Sequence, residues 1–127
     1  MNLRRFWWMV GVVLVVVATV LCLTPGKEIP KAFEVNDVIS HFVGHGTLAL
    51  YFAGLVPMRR WWKIFAFLLA FGISVEFAQY YMNVGRQGEV KDVFSNAAGA
   101  LLGLLVARLG LYRWPEWSAR LLGRQAA

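Results

Sequence analysis

Four stretches of the chain are almost free of charge, and polar, proline and glycine residues gather between them. The first, Phe6 to Leu23, runs for 18 residues without a charged side chain, which is long enough to cross a hydrocarbon core about 30 Å thick. The second, from about Val38 to Val56, is the least apolar and carries Ser40, His41, His45 and Thr47. The third runs from Trp62 to about Met82 and the fourth from Val93 to about Leu111. Pro25 and Pro30 interrupt the chain after the first stretch, Pro57 after the second, and Gly85 and Gly88 after the third, as expected of chain breaks. No alternating strand pattern is present. Backbone groups within a bilayer must be satisfied inside their own segment, so the stretches are expected to be helices.

The pattern predicts an all-α integral membrane four-helix bundle. Its spans are placed at about 6–24, 38–57, 62–82 and 93–111, within one membrane domain covering 1–127. Residues 112–127 mix Arg with Trp and Leu and are expected to form a short interfacial segment. The Arg-rich start before an apolar run also resembles a signal peptide. That run is longer than a usual signal core, no small-residue cleavage site follows it, and Leu21 before Cys22 spoils a lipoprotein box, so an uncleaved span is expected.

Composition supports the bilayer reading. Of the 127 residues, 59% are hydrophobic and 16% charged, more apolar surface than a soluble domain of this length can hide. The single Cys22 gives neither a disulfide framework nor a metal-type spacing. The net charge of +6 would suit nucleic acid, but the basic residues sit at span ends instead of along one face, and no nucleic-acid partner is expected. Nine of the 13 basic residues, Arg4, Arg5, Arg59, Arg60, Lys63, Arg108, Arg113, Arg120 and Arg124, fall on one side of the expected topology. Both termini are therefore predicted to be cytoplasmic. Trp7, Trp8, Trp61, Trp62, Trp114 and Trp117 fall at the same boundaries, as an aromatic belt would.

With this topology, the start of the second span, the end of the third and the start of the fourth lie in one layer near the outer boundary. Asp37 and His41, and likewise Asp92 and Asn96, are four residues apart, while Glu76 and Gln79 are three apart, so each pair shares a helix face. Arg86 falls in the loop between the third and fourth spans. These seven residues are the expected ligand-binding set, in a pocket facing outward. Each has a plainer reading too. Asp37 and Asp92 suit helix N-termini, Asn96 could simply bond between helices, and His41, still more His45, could be an ordinary interfacial residue. Arg86 could be solvated or held by lipid headgroups. Gly99 and Gly103 form a small-xxx-small pair expected to pack helices closely. Glu76 is harder to explain structurally. It lies roughly 9 Å inside its span at 1.5 Å per residue, where an unpaired carboxylate costs several kcal/mol. Its expected partners are Arg86, His41 and Gln79.

The blocks Asp37…His41-Phe42, Glu76-x-x-Gln79, Gly85-Arg86 with Asp92 six residues after Arg86, and Asp92-x-x-x-Asn96-x-x-Gly99 resemble those of the VanZ-like family, small bacterial membrane proteins named for one linked to teicoplanin resistance. The resemblance covers roughly Asn36 to Gly103. The family often has Lys after the first Asp, where this chain has Val38. What the resemblance implies is an envelope role in the cytoplasmic membrane, bearing on glycopeptide susceptibility or surface polysaccharide, without an agreed activity.

Four classes of function follow. The polar layer could recognise a membrane lipid or lipid-linked envelope precursor through its phosphate or carboxylate. His41, Glu76 and Asp92 are candidates for acid–base chemistry or metal ligation in an enzyme acting on such a lipid. Against that, no metal motif is present, no Ser or Cys nucleophile accompanies them, and neither metal nor cofactor is expected. An ion path is disfavoured by the apolar inner halves of the spans, unless a homo-oligomer builds one. Last, the polar groups could only tie helices together for a protein partner.

Overall fold

The structure is a computed structural model and describes residues 2–23, 37–82 and 90–123. Among these the chain is helical, with no strand. Five α-helices follow one another: α1 (Leu3–Leu23), α2 (Asp37–Ala53), α3 (Trp61–Met82), α4 (Val90–Arg108) and α5 (Trp114–Leu121). Short 3₁₀ turns at Met58–Arg60 and Leu111–Arg113 lead into α3 and α5.

The boundaries of α2 and α4 differ from those expected, for local reasons. A residue that precedes proline is pushed out of the helical region, so Val56 before Pro57 cannot continue α2. The helix ends at Ala53 and tightens, with Gly54 N–H donating to Tyr51 O (3.2 Å) and Leu55 N–H to Phe52 O (2.9 Å). At the other end of the sequence, α4 stops at Arg108. Gly110 then takes φ 131°, a conformation that glycine reaches without a Cβ penalty, and the chain bends by 77° into the Leu111–Leu121 segment. Within the segment expected to be interfacial, residues Trp114–Leu121 form α5. Ala119 of α5 is buried, and Pro115 occupies its first turn, where its missing N–H costs nothing.

α2 packs on α4 at backbone distance. A Cβ on Gly99 would meet Phe42 O and lie 2.9 Å from the Phe42 carbonyl carbon. One on Gly46 would lie 3.1 Å from Gly99 O, and one on Gly103 would meet Gly46 O and lie 3.0 Å from Ala49 Cβ. Three glycines thus let two helix backbones touch, the arrangement that favours association where no hydrophobic effect is available. The core lies between α2, α3 and α4 and includes Leu48, Ala49, Phe52, Trp61, Ile64, Leu68 and Ala100.

α1 is different. Gly11 is its only buried residue, while Val12, Val16 and Val20 are more than half exposed. So large an apolar surface calls for a non-aqueous neighbour. Leu3–Leu23 and Met58–Met82 are long and apolar enough to cross a membrane, and the bent pair Asp92–Arg108 and Leu111–Leu121 passes the same test when taken together.

Candidate functional site

The N-terminal half of α2, the C-terminal half of α3 and the first turns of α4 converge on a buried polar junction. His41, Glu76, Gln79, Asp92 and Asn96 are each at most 7% exposed. On α3, Gly72, Glu76 and Gln79 lie at positions i, i+4 and i+7, one face of the helix. On α4, Asp92 and Asn96 share a face in the same way. In an assembly dominated by aliphatic packing, His41, Glu76, Asp92 and Asn96 lie close to one another.

Their geometry is specific. His41 Nδ1 is 3.0 Å from Asn96 Oδ1. An amide oxygen can only accept, so Nδ1 is the donor. The other ring nitrogen, Nε2, faces Glu76 Oε1 at 3.7 Å, too long for a hydrogen bond. Asp92 completes the group. One ligating atom from each of His41, Glu76 and Asp92 lies within 4.8 Å of the other two, and all three residues are buried. These types and distances suit proton transfer or the holding of a cation.

Not every expected member joins this cluster. Gln79 Nε2 donates instead to the Cys22 carbonyl oxygen at the end of α1 (2.7 Å), tying the peripheral helix to α3. Arg86 lies outside the described residues, as does the side chain of Asp37, although Asp37 opens α2. Gly99 and Gly103 lie on the α2–α4 contact described above. Glu76 faces His41, one of its expected partners.

Two further residues belong to the junction. His45, one turn beyond His41, is 5% exposed, and its ring lies 5.8 Å from that of Phe71. Gly72 supplies the room: a Cβ there would come within 2.5 Å of Asn96 Nδ2 and 3.1 Å of His45 Nε2. Among the described residues, neither of those nitrogens has a hydrogen-bond partner. Unpaired buried donors and acceptors are uncommon in proteins, so the space over Gly72 is a polar one. The i, i+4 spacing of His41 with His45, and of Gly72 with Glu76, is the signal that could have found both.

At the opposite end of the helices lies a cavity of about 290 Å³ lined by Arg4, Trp7, Leu55, Tyr112 and Glu116 among others. An apolar groove between α1 and α3 runs beside it, with Arg4, Arg60 and Lys63 along it.

No curated protein and no solved structure matches the chain. A family model described as VanZ/LLP1 matches residues 7–111, which takes in α1 to α4 and every described residue of the polar junction. The resemblance drawn from the Asp37…His41, Glu76-x-x-Gln79, Gly85-Arg86 and Asp92-x-x-x-Asn96 blocks agrees with it. By this match, and with helices apolar enough to cross a membrane, the chain belongs to the VanZ/LLP1 family of membrane proteins.

Proposed function

We propose that the protein is a multi-pass protein of the bacterial cytoplasmic membrane, with both termini in the cytoplasm, and that the junction of His41, Glu76, Gln79, Asp92 and Asn96 binds the headgroup of an envelope lipid or lipid-linked precursor. Through that ligand it influences glycopeptide susceptibility, in keeping with the family. The observation that carries this reading is the burial of His41, Glu76, Asp92 and Asn96 at one meeting point of three helix ends. Ionisable groups at membrane depth are costly and tend to be kept for function. The distribution of basic residues supports the orientation, and with it the placing of the junction toward the outer leaflet. Arg86 and Asp37 stand in the sequence where they would complete the site from the loop and from the start of α2.

The test is binding of labelled lipid-linked precursors to the detergent-purified protein. Glu76→Gln and Arg86→Ala are each expected to weaken binding about tenfold or more, the effect of losing one charged hydrogen bond. Variants that insert correctly and bind as well as the parent would refute the proposal.

A second reading, turnover of that headgroup, is favoured by the mutual closeness of His41, Glu76 and Asp92. In it one carboxylate or the imidazole would act as general base. A headgroup-release assay distinguishes the two, since binding without turnover leaves only the first.

A further inference from the structure

The headgroup reading carries a difficulty of charge. A lipid phosphate is anionic, and the described part of the junction presents two carboxylates, Glu76 and Asp92, beside one imidazole. An anion and a pair of carboxylates share a site comfortably when a cation lies between them.

We infer that His41, Glu76 and Asp92 bind one divalent transition-metal ion of the Zn²⁺ or Mn²⁺ class, and that this ion receives the phosphate oxygen of the headgroup. The inference rests on the headgroup reading only for its second half. Three observations carry the first half.

The donor set is the first. One nitrogen and two carboxylate oxygens, each from a different helix, lie within 4.8 Å of one another. Ligands held about 2.1 Å from a common ion sit about 3.0–3.4 Å apart in octahedral or tetrahedral geometry. The 3.7 Å between His41 Nε2 and Glu76 Oε1 is past hydrogen-bonding length yet within a small side-chain rotation of that spacing.

The second is the state of His41. Its Nδ1–H is engaged by Asn96 Oδ1 at 3.0 Å, which leaves Nε2 as the ring nitrogen directed toward Glu76. A ligating histidine whose other ring nitrogen donates to a fixed oxygen is the usual outer arrangement of metal sites. Asn96 is 1% exposed and so holds this orientation firmly.

The third is the polar lining. Asn96 Nδ2 and His45 Nε2, which close over Gly72 at distances a Cβ would violate, are two buried nitrogens without hydrogen-bond partners among the described residues. Three protein ligands leave at least one coordination position for an outside oxygen, and these nitrogens can bond the group that brings it. One imidazole with two carboxylates suits Zn²⁺, for which imidazole is a good ligand, and Mn²⁺, which the two carboxylates favour, better than Cu⁺, which prefers thiolates.

The experiment uses the full chain in detergent, stripped by a chelator and dialysed against micromolar Zn²⁺, with bound metal measured by mass spectrometry. The parent is expected to retain about one Zn²⁺ per chain, as a single three-ligand site requires, and Glu76→Gln and Asp92→Asn are expected to retain almost none. Asn96→Ala, which removes only the positioning bond, should weaken binding about tenfold or more while leaving the stoichiometry at saturation unchanged. Co²⁺ absorption of the parent alone supplies a readout that does not depend on any variant folding. Ligand-field bands that the parent shows, and that Zn²⁺ displaces, are expected. A parent that holds no more Zn²⁺ than Glu76→Gln, or that shows no such bands, overturns the metal site. Repeating the precursor-binding assay with and without chelator separates the two proposals. Binding that survives chelation overturns the bridging ion and leaves the headgroup reading standing. Zn²⁺ binding without precursor binding does the reverse.

Discussion

The two ends of the helix assembly hold their polar atoms in opposite ways. At the end where α1 begins and α2 finishes, aromatic side chains reach for backbone carbonyls. Trp114 stacks on Tyr51 (ring centroids 4.8 Å apart) and meets Trp7 edge-on (5.2 Å). Its Nε1 donates to Tyr51 O (3.0 Å), the Tyr51 hydroxyl to Trp7 O (2.6 Å), and Trp61 Nε1 to Val56 O (3.1 Å). Carbonyls at the close of a helix lack intrahelical partners, a need that Trp61 meets at Ala53 O and Val56 O, while Trp114 and Tyr51 tie α5, α2 and α1 together through carbonyls of neighbouring helices. Trp7 Nε1 is the exception, without a partner among the described residues. At the other end, His41, Glu76, Asp92 and Asn96 face one another, and no carbonyl of a helix end calls for them. Aromatic donors closing a helix terminus are explained by folding. Asp92, in the first turn of α4, suits a helix N-terminus, but the burial of Glu76 against His41 meets no such need, which is why the functional reading rests on that end.

Substitutions can break or sharpen this contrast. The largest effect is expected between the two ends, at the α2–α4 contact. In Gly99→Val the new side chain would strike the backbone of Phe42, which cannot yield, and a cost of about 3 kcal/mol or more should abolish the monodisperse peak in fluorescence-detected size-exclusion chromatography. Next, Gly72→Ala places a methyl group on Asn96 Nδ2. A loss of about 1–3 kcal/mol in detergent melting should accompany weakened ligand binding, because Asn96 must turn away from His41. At the aromatic end, Trp114→Phe and Tyr51→Phe each remove one hydrogen bond. Each should cost about 1 kcal/mol and leave binding at the far junction unchanged. Glu76→Gln keeps the shape of the side chain, and its stability is expected to stay within about 1 kcal/mol of the parent while binding is lost. A melting temperature that falls as far as cellular activity would assign Glu76 to folding instead. The smallest effect belongs to Arg113→Ala. The Arg113–Glu116 pair (2.9 Å) is nearly half exposed on both sides, so its removal should stay within about 0.5 kcal/mol.

Much of the junction was legible because helix periodicity is local. Spacings of three and four residues put Glu76 with Gln79 and Asp92 with Asn96 on single faces, whatever the rest of the chain does. What spacing could not say is which neighbour each face meets. Gln79 shares its face with Glu76, yet it reaches the Cys22 carbonyl on α1, a residue 57 positions away. Gly72 gives no signal of its own in an apolar helix. Its importance comes from Asn96 and His45, which lie on two other helices. His45 looked like an ordinary interfacial residue for the same reason. That the segment after Leu111 folds into α5 was not legible, because its mixture of Arg, Trp and Leu gives no sign of which helices it meets. Only the turn at Gly110 brings Trp114 over Gly54, where a Cβ would collide with the indole ring (2.8 Å from Trp114 Cδ1).

The sequence by itself determined an all-helical chain with segments apolar enough for a membrane, and its membership of the VanZ/LLP1 family. Those properties follow from hydropathy, chain breaks and short-range blocks, each of which acts within a few residues. The tertiary structure decided that His41 takes its orientation from Asn96, that Glu76 and Asp92 approach the same nitrogen, and that three glycines let α2 and α4 touch. These are meetings between helices distant in sequence. They depend on how rigid rods pack at close range, where one added methyl group changes which atoms can face each other.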